Sequence, residues 1–328
     1  MRISIAVLLS LIASAWSAAE RAAKDPAAAY PSRPIRIIIT VVPGGGADVT
    51  ARAIAQKFTE AWGQQAIVDN RPGGNGVVGM DIAAHANPDG YTIVIGTIGP
   101  VAVNPSLYAK LPYDPVKDYE PVARAVSALN VLVVHPSVPA KSVKELIAHA
   151  RANPGKLAYG SSGVGFADHL AGELFSSLAG VKMNHVPYNG GAPAMLDLVG
   201  GNIQLIFATV STALASMQAG RIRPLAVTFA KRVERFADLP TVAEAGVPGF
   251  AVDNWYGVLA PRGTPKSIVA KQHGKINEIL AMRDVLDRLA GLGIFPFTAP
   301  TSQAFGDYIQ SEIAKYRKVV KDSGIRVD

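Results

Sequence analysis

Pro43-Gly44-Gly45-Gly46-Ala47-Asp48 lies between an apolar, β-branched run, Ile35 to Val42, and a segment of helical spacing, Asp48 to Trp62. Consecutive glycines at a strand-to-helix junction permit positive φ and close backbone approach. The helix start behind them offers unpaired N–H groups at the positive end of its dipole. Such a turn fits an anion. It also fits a plain βα turn with Asp48 as N-cap, and it lacks the Lys-Ser/Thr of a phosphate-binding P-loop. Working outward, Ala66 to Asp69 reads as a second strand, Gly76 to Ala86 as a helix and Tyr91 to Gly96 as a third strand. A βαβαβ order predicts an α/β fold with a parallel, doubly wound sheet.

The second half follows the same plan: strand Leu157 to Gly160, helix Gly165 to Leu178, strand Met183 to Val186, helix Pro193 to Val199, strand Ile203 to Ala208. Sliding one half on the other lays Gly44 on Ser161, Gly63 on Gly180, Gly73 on Gly190 and Gly74 on Gly191. Two similar lobes are expected. Thr97 to Val122, rich in proline, reads as a surface loop with one short helix. Val122 to Val134 and Ala251 to Leu259 read as extended crossings between the lobes, followed by helices Pro265 to Leu280 and Thr301 to Asp322. That order predicts a two-strand hinge, with one lobe formed by residues 30–128 plus 254–328 and the other by residues 129–253.

The 328 residues suit two domains, and 49% apolar against 17% charged residues excludes a mostly disordered chain. Cysteine is absent, which excludes a disulfide scaffold, a thiolate metal site, a cysteine nucleophile and a lipid-modified N-terminal cysteine. Met1 and Arg2, the apolar run Ile3 to Ala15 and the small residues Ser17 to Ala19 have the layout of an export signal over residues 1–19. The apolar run is short of the ~20 residues that span a bilayer, which disfavours a membrane anchor. The net charge of +7 is dispersed along the chain, with no aromatic-interleaved basic stripe for nucleic acid.

In the second half, Gly160-Ser161-Ser162-Gly163-Val164-Gly165 occupies the place of the first glycine turn, and its two hydroxyls add donors. Two helix starts facing one cleft would grip a carboxylate. At roughly 1.5 to 3 kcal/mol per hydrogen bond to a charged group, about four such bonds reach the ~8 kcal/mol of micromolar binding. Enzyme patterns fail at particular residues. Gly74-Asn75-Gly76-Val77-Val78-Gly79 satisfies the dinucleotide pattern, but the strand that should end in an acidic ribose ligand ends Gly96-Thr97. A nucleophile elbow at Ser162 would need glycine where Val164 stands. The histidines form no metal-binding spacing, and no cofactor is implied. An exported serine-type hydrolase of a small ester or amide, using Ser162 and His169, is the alternative to a binding protein.

Several stretches together resemble one family. They include Tyr30-Pro31-Ser32-Arg33-Pro34-Ile35, the glycine turn with Ala51-Arg52, Asp69-Asn70-Arg71-Pro72-Gly73, Pro88-Asp89-Gly90-Tyr91-Thr92 and Leu111-Pro112-Tyr113-Asp114-Pro115. Later come Tyr159-Gly160-Ser161-Ser162-Gly163, His169-Leu170-Ala171, His185-Val186-Pro187-Tyr188, Pro240-Thr241-Val242-Ala243-Glu244-Ala245-Gly246 and Leu259-Ala260-Pro261-Arg262-Gly263-Thr264-Pro265. From Tyr30 to its end the chain resembles the Bug family, the periplasmic solute receptors of tripartite tricarboxylate transporters.

The resemblance implies a two-lobed periplasmic-binding-protein (Venus flytrap) fold, no catalysis, and a monomer. It would deliver a small carboxylate to inner-membrane transporter subunits or a membrane sensor. It also implies that the ligand carboxylate is held by backbone N–H groups and two bridging waters at Pro43 to Asp48 and at Ser161, Ser162 and Gly163, with Thr97 lining the cleft. Three departures stand out. Thr40-Val41-Val42-Pro43 replaces the usual Pro-Phe-Ala-Pro, Phe166-Ala167 precedes His169 where a hydroxyl is usual, and Ala208 stands where the family often has Asp. The expected ligand site is therefore Pro43, Gly44, Gly45, Gly46, Ala47, Asp48, Thr97, Ser161, Ser162, Gly163, Phe166, His169 and Ala208, and its expected ligand an aromatic or short aliphatic acid.

Overall fold

The computed structural model describes residues 25–323, so the export signal expected at residues 1–19 lies outside the described residues. The first unit is β1 (Ile35–Ile39), α1 (Gly46–Trp62), β2 (Ala66–Asn70), α2 (Val77–Ala84) and β3 (Thr92–Thr97). After α3 (Asn104–Leu107) come β4 (Tyr119–Ala128), β5 (Asn130–Val134) and α4 (Val143–Ala152). The second unit is β6 (Ala158–Ser161), α5 (Ala167–Ala179), β7 (Asn184–Pro187), α6 (Gly191–Val199) and β8 (Leu205–Thr209). It continues into α7 (Val210–Gln218) and β9 (Arg223–Val227), and the chain ends with β10 (Asn254–Pro261), α8 (Lys266–Ala281), α9 (Arg283–Gly291), β11 (Ile294–Pro296) and α10 (Ser302–Ser323).

The strands make two sheets of order β11-β4-β10-β3-β1-β2 and β7-β6-β8-β5-β9. In each, three parallel strands come first: β1 between β2 and β3, and β6 between β7 and β8. An antiparallel strand then arrives from the other lobe, β10 beside β3 and β5 beside β8. The fold is the expected two-lobed α/β architecture. In β1, Ile35, Ile37 and Ile39 enter one core while Ile38 enters the other, the two-sided burial of a parallel strand covered by helices on both faces. At the end of α1, Gly63 takes φ 67° and donates its N–H to Thr59 O, the left-handed stop that glycine accepts most easily.

The expectation of a surface loop from Thr97 to Val122 is corrected. Gly99–Val103 forms a wide helical turn with every residue buried, and it runs directly into α3. Pro100 and Pro105 stand in first-turn positions, where a missing N–H is harmless, so they start helical turns instead of breaking them. Ile98, Val101, Val103 and Leu107 supply the apolar face that buries the segment with Phe305, Ile309 and Ile313 of α10.

The chain crosses between the sheets at Leu129 and again just before β10. Asn254 Nδ2 donates to Asn130 Oδ1 at 3.0 Å, which ties the two crossings together. Behind them, buried Arg124 pairs with Asp253 at 2.7 Å and lies 3.8 Å and 4.1 Å from the ring centroids of Phe297 and Tyr308. Elements absent from the sequence expectation, α9 and β11, complete this region. Leu129 N donates to Gly293 O at 2.7 Å, and β11 extends the first sheet beyond β4.

Gly257 carries the close approach of α10 to β10, since a Cβ there would lie 2.1 Å from Phe305 Cζ. Gly257→Ala is expected to destabilise the protein by about 1–3 kcal/mol in urea unfolding, through forced displacement of Phe305. Gly274→Ala, in α8 with nothing within 4 Å, is expected to stabilise it by roughly 0.5–1 kcal/mol.

Candidate functional site

Four helices begin at one place between the lobes: α1 after Gly45, α5 after Phe166, α6 after Gly190 and α7 after Thr209. None has a side-chain hydrogen bond at its N-cap. Between them lies a cavity of about 60 Å³, lined from one sheet by Gly45, Gly46, Ala47 and Thr97 and from the other by Ser162, Phe166, Asp168, Gly191 and Thr212. The crossing strands close its floor with Asn130, Asn254 and Tyr256. Because the first N–H groups of a helix have no intrahelical acceptor, the cavity wall is rich in donors. The N-terminal half-charges add a positive potential to it.

A smaller chamber of about 20 Å³ adjoins it, between Thr40, Asn75 and Gly76 on one side and Tyr188 and Asn189 on the other. Val41, Val42, Ser162, Phe166 and Gly190 line both spaces and form the partition. The hydroxyls of Thr40 and Thr97 are buried without a hydrogen-bond partner among the described residues. A hollow of about 740 Å³ on the outer side of the first lobe, near Lys117, Arg262 and Ser302, is larger but lies away from this convergence.

The expected site residues fall into two groups. Gly45, Gly46, Ala47, Thr97, Ser162 and Phe166 line the cavity. The others stand behind it. Pro43 and Gly44 are exposed, and Ala208 is buried within β8. Asp48 accepts from Gly44 N at 3.1 Å, Arg52 Nε at 2.9 Å and Asn70 Nδ2 at 3.1 Å. Burial pushes its carboxyl upward, but these donors outweigh burial and hold it below the usual carboxylate range. Ser161 Oγ meets His185 Nε2 at 2.6 Å and accepts from Gly163 N at 3.2 Å. His169 Nδ1 accepts from Gly165 N at 3.0 Å, and its ring stacks 4.0 Å from that of His185. Burial, then the neighbouring His185, lowers His169 to about 3, and burial lowers His185 to about 4.

Ser162 donates both N (2.7 Å) and Oγ (2.5 Å) to Asp168 Oδ2. The serine and histidine of the hydrolase alternative therefore point to different partners, Ser162 to Asp168 and His169 to Gly165, and do not form a nucleophile–base pair. Among the described residues no group of three or more His, Asp or Glu could hold a metal ion.

The expected list missed Asp168, the α6 start at Gly190 and Gly191, the α7 start with Thr209 and Thr212, and the floor residues Asn130, Asn254 and Tyr256. Gly190-Gly191 before a helix repeats the signal that singled out Gly44 to Gly46, so it was legible in kind. Tyr256 was not. Its hydroxyl reaches the cavity because a Gly46 without Cβ leaves room; a Cβ there would lie 2.7 Å from Tyr256 Oη.

The lobes touch through glycines. Gly190 has φ 116°, and a Cβ on it would lie 2.5 Å from Val42 Cγ2 of the other lobe. Gly190→Ala is expected to prop the lobes apart, raising the radius of gyration in X-ray scattering. Gly44→Ala carries a similar φ cost at 93° with nothing within 4 Å, and is expected to lower stability by about 1–2 kcal/mol without opening the lobes.

Residues 50–325 match the family described as Tripartite tricarboxylate transporter family receptor. Protein BugT of Bordetella pertussis is 35% identical over 321 residues, 98% of each chain. Among solved structures, R. palustris Rpa4515 with adipate superposes with a TM-score of 0.88 at 38% identity, covering 90% of this chain and 99% of that one. MatC from Rhodopseudomonas palustris with bound malate gives 0.82 at 30% identity, covering 89% and 100%.

Proposed function

The chain belongs to the tripartite tricarboxylate transporter receptor family, and we propose that it is an extracytoplasmic receptor that closes its lobes over one small carboxylate solute and hands it to a membrane transporter. The observation that carries this reading is the convergence of four helix N-termini, without side-chain caps, on one cavity shared by both lobes. An anion there meets donors from both lobes only when they are together, so its binding free energy favours the closed form.

In this reading Gly45, Gly46, Ala47, Thr97, Ser162 and Phe166 face the solute, directly or through bridging waters. Pro43, Gly44, Asp48, Ser161, Gly163, His169 and Ala208 shape the loops behind them. Residues 30–128 with 254–328 move against residues 129–253 about the two crossings, and residues 1–19 direct export. The protein acts as a monomer without catalysis, its partner being a transporter subunit or a membrane sensor. A cavity of about 60 Å³ has room for roughly four to six water-sized groups at ~10–15 Å³ each. We read the solute as a short acid, and as aliphatic by analogy with the related structures. The adipate and malate in the related structures are of this aliphatic kind.

Calorimetry with adipate, malate and benzoate tests the proposal. One of the aliphatic acids is expected to bind at one per chain without turnover, with compaction in X-ray scattering. Hydrolysis of an ester or amide that is lost in Ser162→Ala would refute it. Gly46→Val, which places carbon against Tyr256 Oη, is expected to weaken binding roughly 10- to 100-fold, the equivalent of about 1–3 kcal/mol of overpacking.

A further inference from the structure

The cavity already contains a carboxylate. Asp168, in the first turn of α5, lines it and is 6% exposed. Its Oδ2 accepts from Ser162 N and Ser162 Oγ, and its Oδ1 accepts from His169 N at 2.9 Å. An ionised carboxylate has about four acceptor positions, so one position, on Oδ1, remains open. Among the described residues no lysine, arginine or histidine lines the cavity.

The titratable groups on the elements packed around Asp168 bring no balancing charge. On α5 itself His169 is neutral, with Nδ1 held by Gly165 N–H, and Glu173 accepts from Tyr159 Oη of β6. On β7, His185 is neutral against Ser161. On β10, Tyr256 Oη accepts from Asn254 Nδ2 at 3.3 Å and stays protonated, since burial pushes its hydroxyl up. On α1, Asp48 has its own cation in Arg52. A solute carboxylate would therefore be a second anion beside Asp168 in a closed, poorly solvated space. Two such groups do not both ionise there; one pKa is driven up.

We propose, resting on the carboxylate-receptor reading above, that the solute anion enters together with one proton, which Asp168 takes from solvent on Oδ1 and donates as a hydrogen bond to the solute carboxylate. Burial has already raised the Asp168 carboxyl to about 6 against the opposing donors of Ser162 and His169, so proton uptake near neutral pH requires only a further rise. The geometry disfavours the other way to balance Asp168, a solute ammonium. Apart from Asp168 the wall is made of helix N-termini, hydroxyls, the amides of Asn130 and Asn254 and the apolar Val41, Val42 and Phe166; it holds no second carboxylate, and the potential of the N-termini repels a cation. The receptor then selects acids without an amino group, and its affinity falls about tenfold per pH unit above the titration of free Asp168.

The test is calorimetry of adipate, malate, butyrate and L-glutamate at pH 6.0, 7.0 and 8.0, in phosphate and in Tris, whose ionisation enthalpies differ. The expected result is uptake of close to one proton per bound acid near pH 8 and binding roughly fiftyfold weaker at pH 8.0 than at pH 6.0. Asp168→Asn is expected to bind with no proton uptake and a flat profile. Ser162→Ala removes a donor to the carboxylate but keeps Asp168, and is expected to move the fall in affinity to higher pH. Zero proton uptake with a flat wild-type profile overturns the proposal while leaving the carboxylate receptor standing, and so does tight binding of L-glutamate alone. No binding of any acid by wild type or variants at any pH overturns both.

Discussion

The N–H groups at a helix start must find acceptors outside the helix, and in this protein four such starts are buried against one another between the lobes. Each start needs a strand behind it to aim it, so the site requires both sheets in their present order. Close approach explains glycine at 46, against Tyr256, and at 190, against Val42. Two of the four helices carry an acid in the first turn that folds back onto its own loop, Asp48 to Gly44 N and Asp168 to Ser162 N. The other two, α6 and α7, have no acid in the first turn and no side-chain cap, and in α7 Val210 N donates to Leu129 O of the crossing.

The crossings do more than join the lobes. β10 and β5 stand inside the sheets, and they carry Tyr256, Asn254 and Asn130 to the cavity floor. A hydrogen bond from Asn254 to Asn130 therefore belongs to the hinge and to the site at once. The buried Arg124–Asp253 pair behind it links the outgoing strand to the returning one. In the proposed reading, solute contact and lobe angle share the same few residues.

Much of this was readable from residue order. The alternation of β-branched runs with helical spacing gave both parallel units, and the turns at residues 43–48 and 160–165 located two of the four helix starts. What escaped had physical reasons. Prolines 100 and 105 looked like loop markers because proline is a breaker everywhere except a helical first turn, and only the third dimension shows which applies. Asp168 was passed over because an acid in a first helical turn is ordinarily a capping residue, and its place beside Thr97 and Tyr256 of the other lobe is not visible in residue order. Tyr256 and Asn254 sit in an apolar strand with no local cue; they matter because that strand borders the other lobe. The family resemblance pointed to the region of the site, whereas the charge balance within it became visible only with the side chains in place.

The sheet order also governs how the chain reaches its native state. All five strands of the second sheet lie between Asn130 and Val227, so that lobe can form its ladder as soon as this stretch is available. The first sheet cannot, because β10, which separates β3 from β4, comes from Asn254–Pro261. Until that strand is inserted, Ile95 and Val94 lack their partners Val258 and Leu259. The N-terminal half thus stays incomplete while the later half folds, leaving β3 with an open edge through the interval in which a new chain is most exposed to chaperones and proteases.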